Sequence, residues 1–459
     1  MAETALFLVA VFEMNSLKYS TLSASKNPGQ GHLRGRRVAV VVFSHYPSDP
    51  RPRREAEALV NLGMEVDVIS IKQNNDEPRQ ETFNGVDILR VPIKRRRGGK
   101  FVYVFQYASF ILISFFLLAF RSVTRRYSLV HVHNMPDVLV FAALIPKLCG
   151  AKVILDLHDP MPELMMTIFG LKQGSFGVRL LKRLEKWSIG FANAVLAVNV
   201  ACRKIFSERS CRAGKVHVVM NSPDEGIFKY REAGRRVSSG RDAAKPFIIM
   251  YHGSLVERHG LDLAVTALKK IKRSIPKAEL RVYGQSTPFL EQVMNSVQEP
   301  DLRNAIHCFG SKKLEEIAEA IGECDLGIIP NRRSIFTELN TPTRIFEYLS
   351  QGKPVIAPSV HGIQDYFGPG DLIFFRLGDA DDLAEKIEYV FLHPEEIRGV
   401  VRRGQEIYSD HKWDCERTRL VNLVEDLLAT KNRLKPATPE ERGFRALEIT
   451  HDRPRSSLD

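Results

Sequence analysis

Between Thr341 and Pro358 the chain reads TPTRIFEYLSQGKPVIAP: a polar loop, an amphipathic run, a glycine stop and a β-branched strand. A helix starting there leaves its first backbone N–H groups unpaired, and together with the helix dipole these favour a phosphate. Asn340, Thr341 and Thr343 would line such a group. Glu347, one turn further on, is placed to accept hydrogen bonds from a vicinal diol such as a ribose. Diphosphate and ribose together describe a nucleotide-sugar. A second glycine loop, HGSLVERHGLD over 252–262, follows a buried strand. In it Gly253 permits a tight turn, and Arg258 carries a pH-independent charge that fits a phosphate. Gly284 closes the next strand and allows close approach of a nucleotide. In the first half, HVHNMPD (131–137) and LDLHDPMPE (155–163) place polar groups at strand ends, the catalytic edge of an open α/β sheet. His158 stands at the second of these ends, with Asp159 and Glu163 as neighbours that would orient it. Arg51, Arg53 and Arg54 stand at a helix start, where cations oppose the dipole, so an anion on the acceptor side is expected beside them.

These residues need rigid strands behind them, and the sequence supplies two series. Strands are expected from 37, 66, 86, 129, 152, 194 and 216, alternating with amphipathic helices, and again from 247, 279, 306, 326 and 354. Such alternation means parallel sheets covered on both faces. The expected fold class is α/β, with two doubly wound Rossmann-like domains facing a central cleft. Residues 1–35 read as a flexible extension, 36–225 as an acceptor-side domain, 226–246 as a linker, 247–430 as the nucleotide-sugar domain and 431–459 as a disordered tail.

A chain of 459 residues exceeds one ordinary core, and its 44% apolar content is that of a globular protein. The six cysteines contain no C-x-x-C pair, which argues for a reducing compartment and against a zinc ribbon. A cytoplasmic protein is expected, peripheral at the inner face of the plasma membrane if it meets lipid. The net charge of +12 implies anionic partners. Nucleic acid is not among those expected, because the aromatic residues near the basic clusters form one apolar helix and not a stacking platform.

The 340–358 segment resembles the glutamate-bearing helix of family 4 glycosyltransferases, enzymes of the GT-B fold. Glu347 stands where the second glutamate of that family's pair grips the donor ribose. The first would fall at position 339, which is Leu339 here, and Glu338 precedes it as the candidate to reach the donor hexose. The resemblance extends over about residues 37 to 425. It implies that His158 lies beside the donor sugar, that 252–262 is the phosphate loop and that Phe309-Gly310-Ser311 positions the base. Ser254 and His259 replace the cations usual in that loop. The resemblance further implies glycosyl transfer from a nucleoside-diphosphate sugar to a glycan or lipid-linked acceptor, with retention and with neither metal nor other cofactor. The same fold hosts sugar-nucleotide epimerases and phosphorylases, and a non-catalytic nucleotide-sugar-binding partner is the other alternative.

Residues 101–120 are apolar enough for a membrane helix. Strands before and after them are expected in one sheet, so a single crossing is excluded. Two readings stay open, a buried crossover helix or a helix lying in the membrane interface. Basic residues flanking it, Lys94 to Arg97, Lys100, Arg121, Arg125 and Arg126, would draw residues 94–126 to an anionic surface. Two decoys are set aside. Asp379-Ala380-Asp381-Asp382 is read as a helix cap and not a D-x-D metal motif. His131-x-His133 has two ligands on one strand face and no third of matching spacing, so no metal is expected there.

Overall fold

The computed structural model describes residues 32–74, 76–93, 100–233 and 245–429. The basic residues 94–97, most of the extension, the centre of the linker and the tail 431–459 lie outside the described residues. The first sheet has eight strands in the order β3-β4-β2-β1-β5-β6-β7-β8. They are β1 (Arg37–Val41), β2 (Glu65–Ile71), β3 (Gln80–Phe83), β4 (Val86–Val91), β5 (Leu129–His133), β6 (Lys152–Leu157), β7 (Ala194–Ala197) and β8 (Val216–Val218). Only β3, on the edge, runs antiparallel to its neighbour. The second sheet has six parallel strands in the order β11-β10-β9-β12-β13-β14. Its members are β9 (Phe247–His252), β10 (Ala278–Tyr283), β11 (Ile306–Cys308), β12 (Leu326–Ile328), β13 (Val355–Pro358) and β14 (Ile373–Phe375).

The β-branched runs of β1 and β5 are buried on both faces because helices cover both sides. The first strand of each sheet lies between neighbours whose connections run in opposite directions, β1 between β2 and β5, β9 between β10 and β12. A ligand crevice opens at the carboxyl ends of such switch points. The helices that bear on the site are α1 (Pro50–Asn61), α2 (Lys100–Arg125), α3 (Val200–Arg209), α4 (Leu261–Ile271), α5 (Thr343–Ser350), α6 (Ala380–Leu392) and α7 (Trp413–Leu428).

Two elements depart from the pattern the sequence suggests. Although α7 follows the second domain, Leu420, Leu423, Val424 and Leu428 pack with Val38, Val40 and Leu59 in the core of the first. The carboxylate of Glu416, fully buried, accepts from the backbone N–H of Met220 at 2.8 Å. The boundary at 430 drawn from sequence therefore assigns this helix to the wrong core. A periodic apolar stripe says that a helix is covered and does not say by which sheet.

The other departure is α2, which makes the crossover from β4 to β5. Its inward row is Gln106, Phe110, Ser114, Leu118 and Ser122, all buried, while Phe105, Leu112, Phe116, Phe120 and Val123 are 58–79% exposed. Gln106, Ser114 and Ser122 face the protein beside Phe110 and Leu118, while Phe105, Phe116 and Phe120 face outward, so the outer face carries the apolar stripe that a water-soluble helix would bury. The fold thus answers the two open readings with one helix: a crossover on one face and an uncovered apolar stripe on the other.

Candidate active site in the interdomain cleft

On the second domain, β9 ends at His252 and turns sharply through Gly253 at φ +124°. A Cβ at Gly284 would overlap the Gly253 carbonyl, so both positions need glycine for the two strand ends to approach. Helix α5 lies above this turn and presents Arg344, Glu347 and Tyr348 to it, an i, i+3, i+4 face. The buried Tyr348 hydroxyl donates to the Met250 carbonyl at 2.9 Å, so it accepts from His252 Nδ1, also at 2.9 Å. That fixes the imidazole, whose Nε2 lies 2.5 Å from Glu347 Oε2. Glu347 is thereby held with its second oxygen free of this contact. Arg344 donates through Nη1 to the His252 carbonyl at 2.6 Å and stands over the Tyr251 ring.

Arg258 approaches the same turn from the loop before α4. Its Nε is buried without a hydrogen-bond partner. His259 sits near both arginines and is pushed down to about 3, by burial first and then by the charges of Arg344 and Arg258. It is neutral at neutral pH, so the loop's charge rests on Arg258. Two guanidiniums beside a glycine turn and under a helix start form a concentrated positive site.

On the first domain, β5 and β6 end side by side. Asn134 clamps the next turn: its Oδ1 accepts from the His158 N–H at 2.9 Å and its Nδ2 donates to the Asp159 carbonyl at 3.0 Å. The His158 side chain is about a quarter exposed, and its Nε2 lies 3.2 Å from Asp156 Oδ2. Burial raises the Asp159 carboxyl, while the charges of His158 and of Arg258 across the cleft pull it back. The His158–Asp159 turn and Arg258 therefore face one another between the domains. The domains are also pinned: Asn199, the N-cap of α3, donates to the Leu339 carbonyl at 2.8 Å and to Thr341 Oγ1 at 3.0 Å.

Residues 48–222 match the glycosyl transferase 4-like domain family, and residues 236–406 match the glycosyl transferases group 1 family. The chain pairs a glycosyl transferase 4-like domain with a group 1 glycosyl transferase domain, the GT-B glycosyltransferase pairing. Solved structures agree in fold. Sucrose-phosphate synthase from Thermosynechococcus elongatus superposes with a TM-score of 0.69 at 18% identity, over 86% of this chain and 99% of that one. The Anabaena protein HepE, solved in complex with UDP-glucose, gives 0.63 at 14% identity over 85% and 99%. The catalytic domain of starch synthase IV from Arabidopsis thaliana, bound to ADP and acarbose, gives 0.62 at 15% over 86% and 100%. No curated protein sequence matches the chain.

In this glycosyltransferase several residues singled out from sequence have other duties. Arg51 is 5% exposed and forks onto Asp156 at 2.7 and 2.9 Å, with a third bond to the Val219 carbonyl. Arg54 donates to Ser222 and Asn221 and stacks on Trp413, and Arg53 pairs with Glu57 at 3.0 Å. The anion expected beside these arginines is replaced by the chain's own carboxylates and carbonyls. Glu163 is bound by Arg209 at 2.6 and 3.0 Å and does not orient His158. Thr341 donates to the Gly362 carbonyl and accepts from Asn199, which makes it a domain pin. Asn340 lies in the same turn, its carbonyl against Gly362, and Thr343 opens α5. Glu338 is 41% exposed and lies 3.5 Å from Arg333. Phe309 stacks on Tyr283 at 4.8 Å, and Gly310 takes φ +72° beside it. Asp379 caps α6, accepting from the N–H groups of Asp381 and Asp382 at 2.9 and 3.1 Å, as read from sequence.

Arg344, His252, Asn134 and Asn199 were not among the candidates. The helical i, i+3, i+4 spacing of Arg344, Glu347 and Tyr348 was the available signal. The expectation that no third ligand accompanies His131 and His133 also needs correction, because the fold brings Glu55 of α1 and Asp156 of β6 beside them.

Asp137 gives a pH test of the turn after β5. Burial, with Glu185 and Glu163 near, pushes it up to about 7 despite the hydrogen bond from Asn134. A carboxyl raised in the folded chain keeps its proton while the unfolded chain loses it. Its contribution to stability therefore declines from about pH 4 to pH 7 and is flat above. Asp137→Asn, which still accepts from Asn134, should flatten melting temperature against pH across that window.

Proposed function

We propose that this enzyme transfers a sugar from a nucleoside-diphosphate sugar to a glycan or lipid-linked acceptor, in the biosynthesis of a polysaccharide or glycoconjugate. The observation that carries the reading is the pairing of Arg258 and Arg344 with the glycine turn, under a helix that holds Glu347 in place. The diphosphate would lie against the two guanidiniums and the start of α5, and the ribose diol would reach the free oxygen of Glu347. Charge developing on the leaving diphosphate is then met by fixed cations, so this step calls for no metal. His158 and Asp159, at the facing strand end, would sit beside the sugar. We propose retention at the anomeric carbon, with the acceptor proton passing to the leaving phosphate, and closure of the domains to exclude water. Glu338 would contact the hexose once the domains close.

The exposed stripe of α2 supports a membrane-bound acceptor. Only 22% of its most apolar window is buried. Arg121 and Arg125, expected from sequence to face lipid headgroups, are instead paired with Asp67 at 3.3 and 2.7 Å, so the apolar stripe alone supports a peripheral enzyme lying on the membrane from the cytoplasmic side. Phe116→Glu with Phe120→Glu should abolish flotation with anionic vesicles while leaving donor affinity unchanged. Equal flotation of wild type and variant would remove the membrane from the reading.

The deciding experiment is calorimetry against UDP, GDP, ADP and their sugars. One diphosphate should bind, and Glu347→Ala should weaken it by about 100-fold, the worth of about 3 kcal/mol for charge-assisted bonds to two hydroxyls. Failure of every nucleotide to bind the wild type, with and without membranes, would overturn the donor site.

A further inference from the structure

Behind His158, away from the cleft, the first domain encloses a cluster that the transfer reaction does not use. Glu55 on α1, His131 and His133 on β5 and Asp156 on β6 are each 0% exposed, and each offers a ligand atom within 4.8 Å of the others. Five of their atoms are buried without a hydrogen-bond partner: both oxygens of Glu55, both ring nitrogens of His131 and Nε2 of His133. The ion pair from Arg51 to Glu55 Oε1, at 3.3 Å, lacks hydrogen-bond geometry. A single buried orphan of this kind costs about 1–3 kcal/mol, and native interiors rarely leave several together.

The spacing of these atoms selects what would satisfy them. Glu55 Oε2 lies 3.4 Å from His131 Nε2 and 3.8 Å from His133 Nε2. Ligands held about 2.0–2.1 Å from one tetrahedral zinc ion stand about 3.3 Å apart. Groups bridged by a water at ordinary hydrogen-bond distance would stand roughly 4.5 Å apart. The two imidazoles stack at 4.4 Å, so both edges present nitrogen on the same side of the strand. His133 is also held from behind, with Nδ1 3.1 Å from Asp156 Oδ2. A carboxylate on the far nitrogen of a histidine is the usual outer support of a metal ligand, since it leaves the other nitrogen's lone pair facing the ion.

We propose that Glu55, His131 and His133 bind a divalent transition-metal ion of the zinc class, with Asp156 as the supporting carboxylate. Full enclosure makes the site structural, filled as the domain folds. The ion would fix His133, whose Nδ1 lies 3.0 Å from His158 Nε2, and so set the orientation of the histidine at the cleft.

Protein purified after unfolding and refolding with Zn2+ or Co2+ should retain about one equivalent of metal through gel filtration in chelator. It should melt higher than protein refolded in chelator alone. X-ray absorption of the wild-type zinc form should show two imidazoles per ion and no sulfur. Glu55→Gln and His131→Gln should lower metal content at least about tenfold, within the range seen when the support of a metal ligand is removed. Wild type that refolds equally well without metal and retains none would overturn the proposal. So would metal that persists undiminished in both variants, or an absorption shell without imidazole, either of which would place the ion elsewhere.

Discussion

Arg258→Ala should lower kcat by about 10²- to 10³-fold while the melting temperature stays close to wild type. The guanidinium has no hydrogen bond through Nε and contacts its own domain chiefly by standing 6.0 Å from the Phe336 ring. Its removal therefore takes little from the fold. What it removes is a cation already desolvated and facing Asp159 across the cleft, where, under the proposed function, negative charge would grow as the glycosidic bond breaks. His259 cannot substitute, because it is neutral at neutral pH. A group that binds ground state and transition state alike would change KM, whereas a group matched to developing charge changes kcat. Arg258→Lys should recover part of the rate, since it restores the charge without the fork. A variant with unchanged kcat and raised KM would show that Arg258 only holds the donor.

Asp156→Ala should be the most destabilising single change in the first domain, by about 3–5 kcal/mol in denaturant unfolding. Burial by itself would raise the Asp156 carboxyl, but Arg51, with His158 and His133 adding to it, holds it well below the usual range. Alanine leaves the buried Arg51 guanidinium without its fork partner. The same logic gives the pH sign: a depressed carboxyl contributes stability above the unfolded value, and that stability is lost as pH falls through the folded one. Wild type should therefore lose stability on acidification more steeply than Asp156→Ala. A change under about 1 kcal/mol would mean that Glu55, 3.3 Å from Arg51, carries the pairing instead.

The strands were legible because valine and isoleucine runs such as 38–42 and 355–357 have one physical explanation, burial on both faces. The helix that carries Glu347, Thr343–Ser350, was legible because a polar loop and a glycine stop bracket it. The arginines at 51 and 54 were misread for a reason the sequence cannot supply. Their partners, Asp156, Asn221 and Ser222, lie more than a hundred residues away, so locally they look like free cations at a helix start. The same distance hid the bond from His252 to Glu347, which joins a strand end to a helix 95 residues later. Residues 101–120 gave length and hydropathy but not direction. Only packing shows that Ser114 and Ser122 turn in while Phe105, Phe116 and Phe120 turn out.

The return of α7 to the first domain means that the chain crosses between the domains twice. A body attached at two points can swing about the line through them but cannot pivot freely, so the domain closure proposed above would follow one path, like a door on a pair of hinges. It also means that the first domain is unfinished until the last helix has been made. During synthesis the ribosome releases the first domain with a gap where Leu420, Leu423, Val424 and Leu428 belong. The second domain, whose core ends at Tyr408, can close ahead of it, and a chain stopped short of residue 413 would carry that gap permanently.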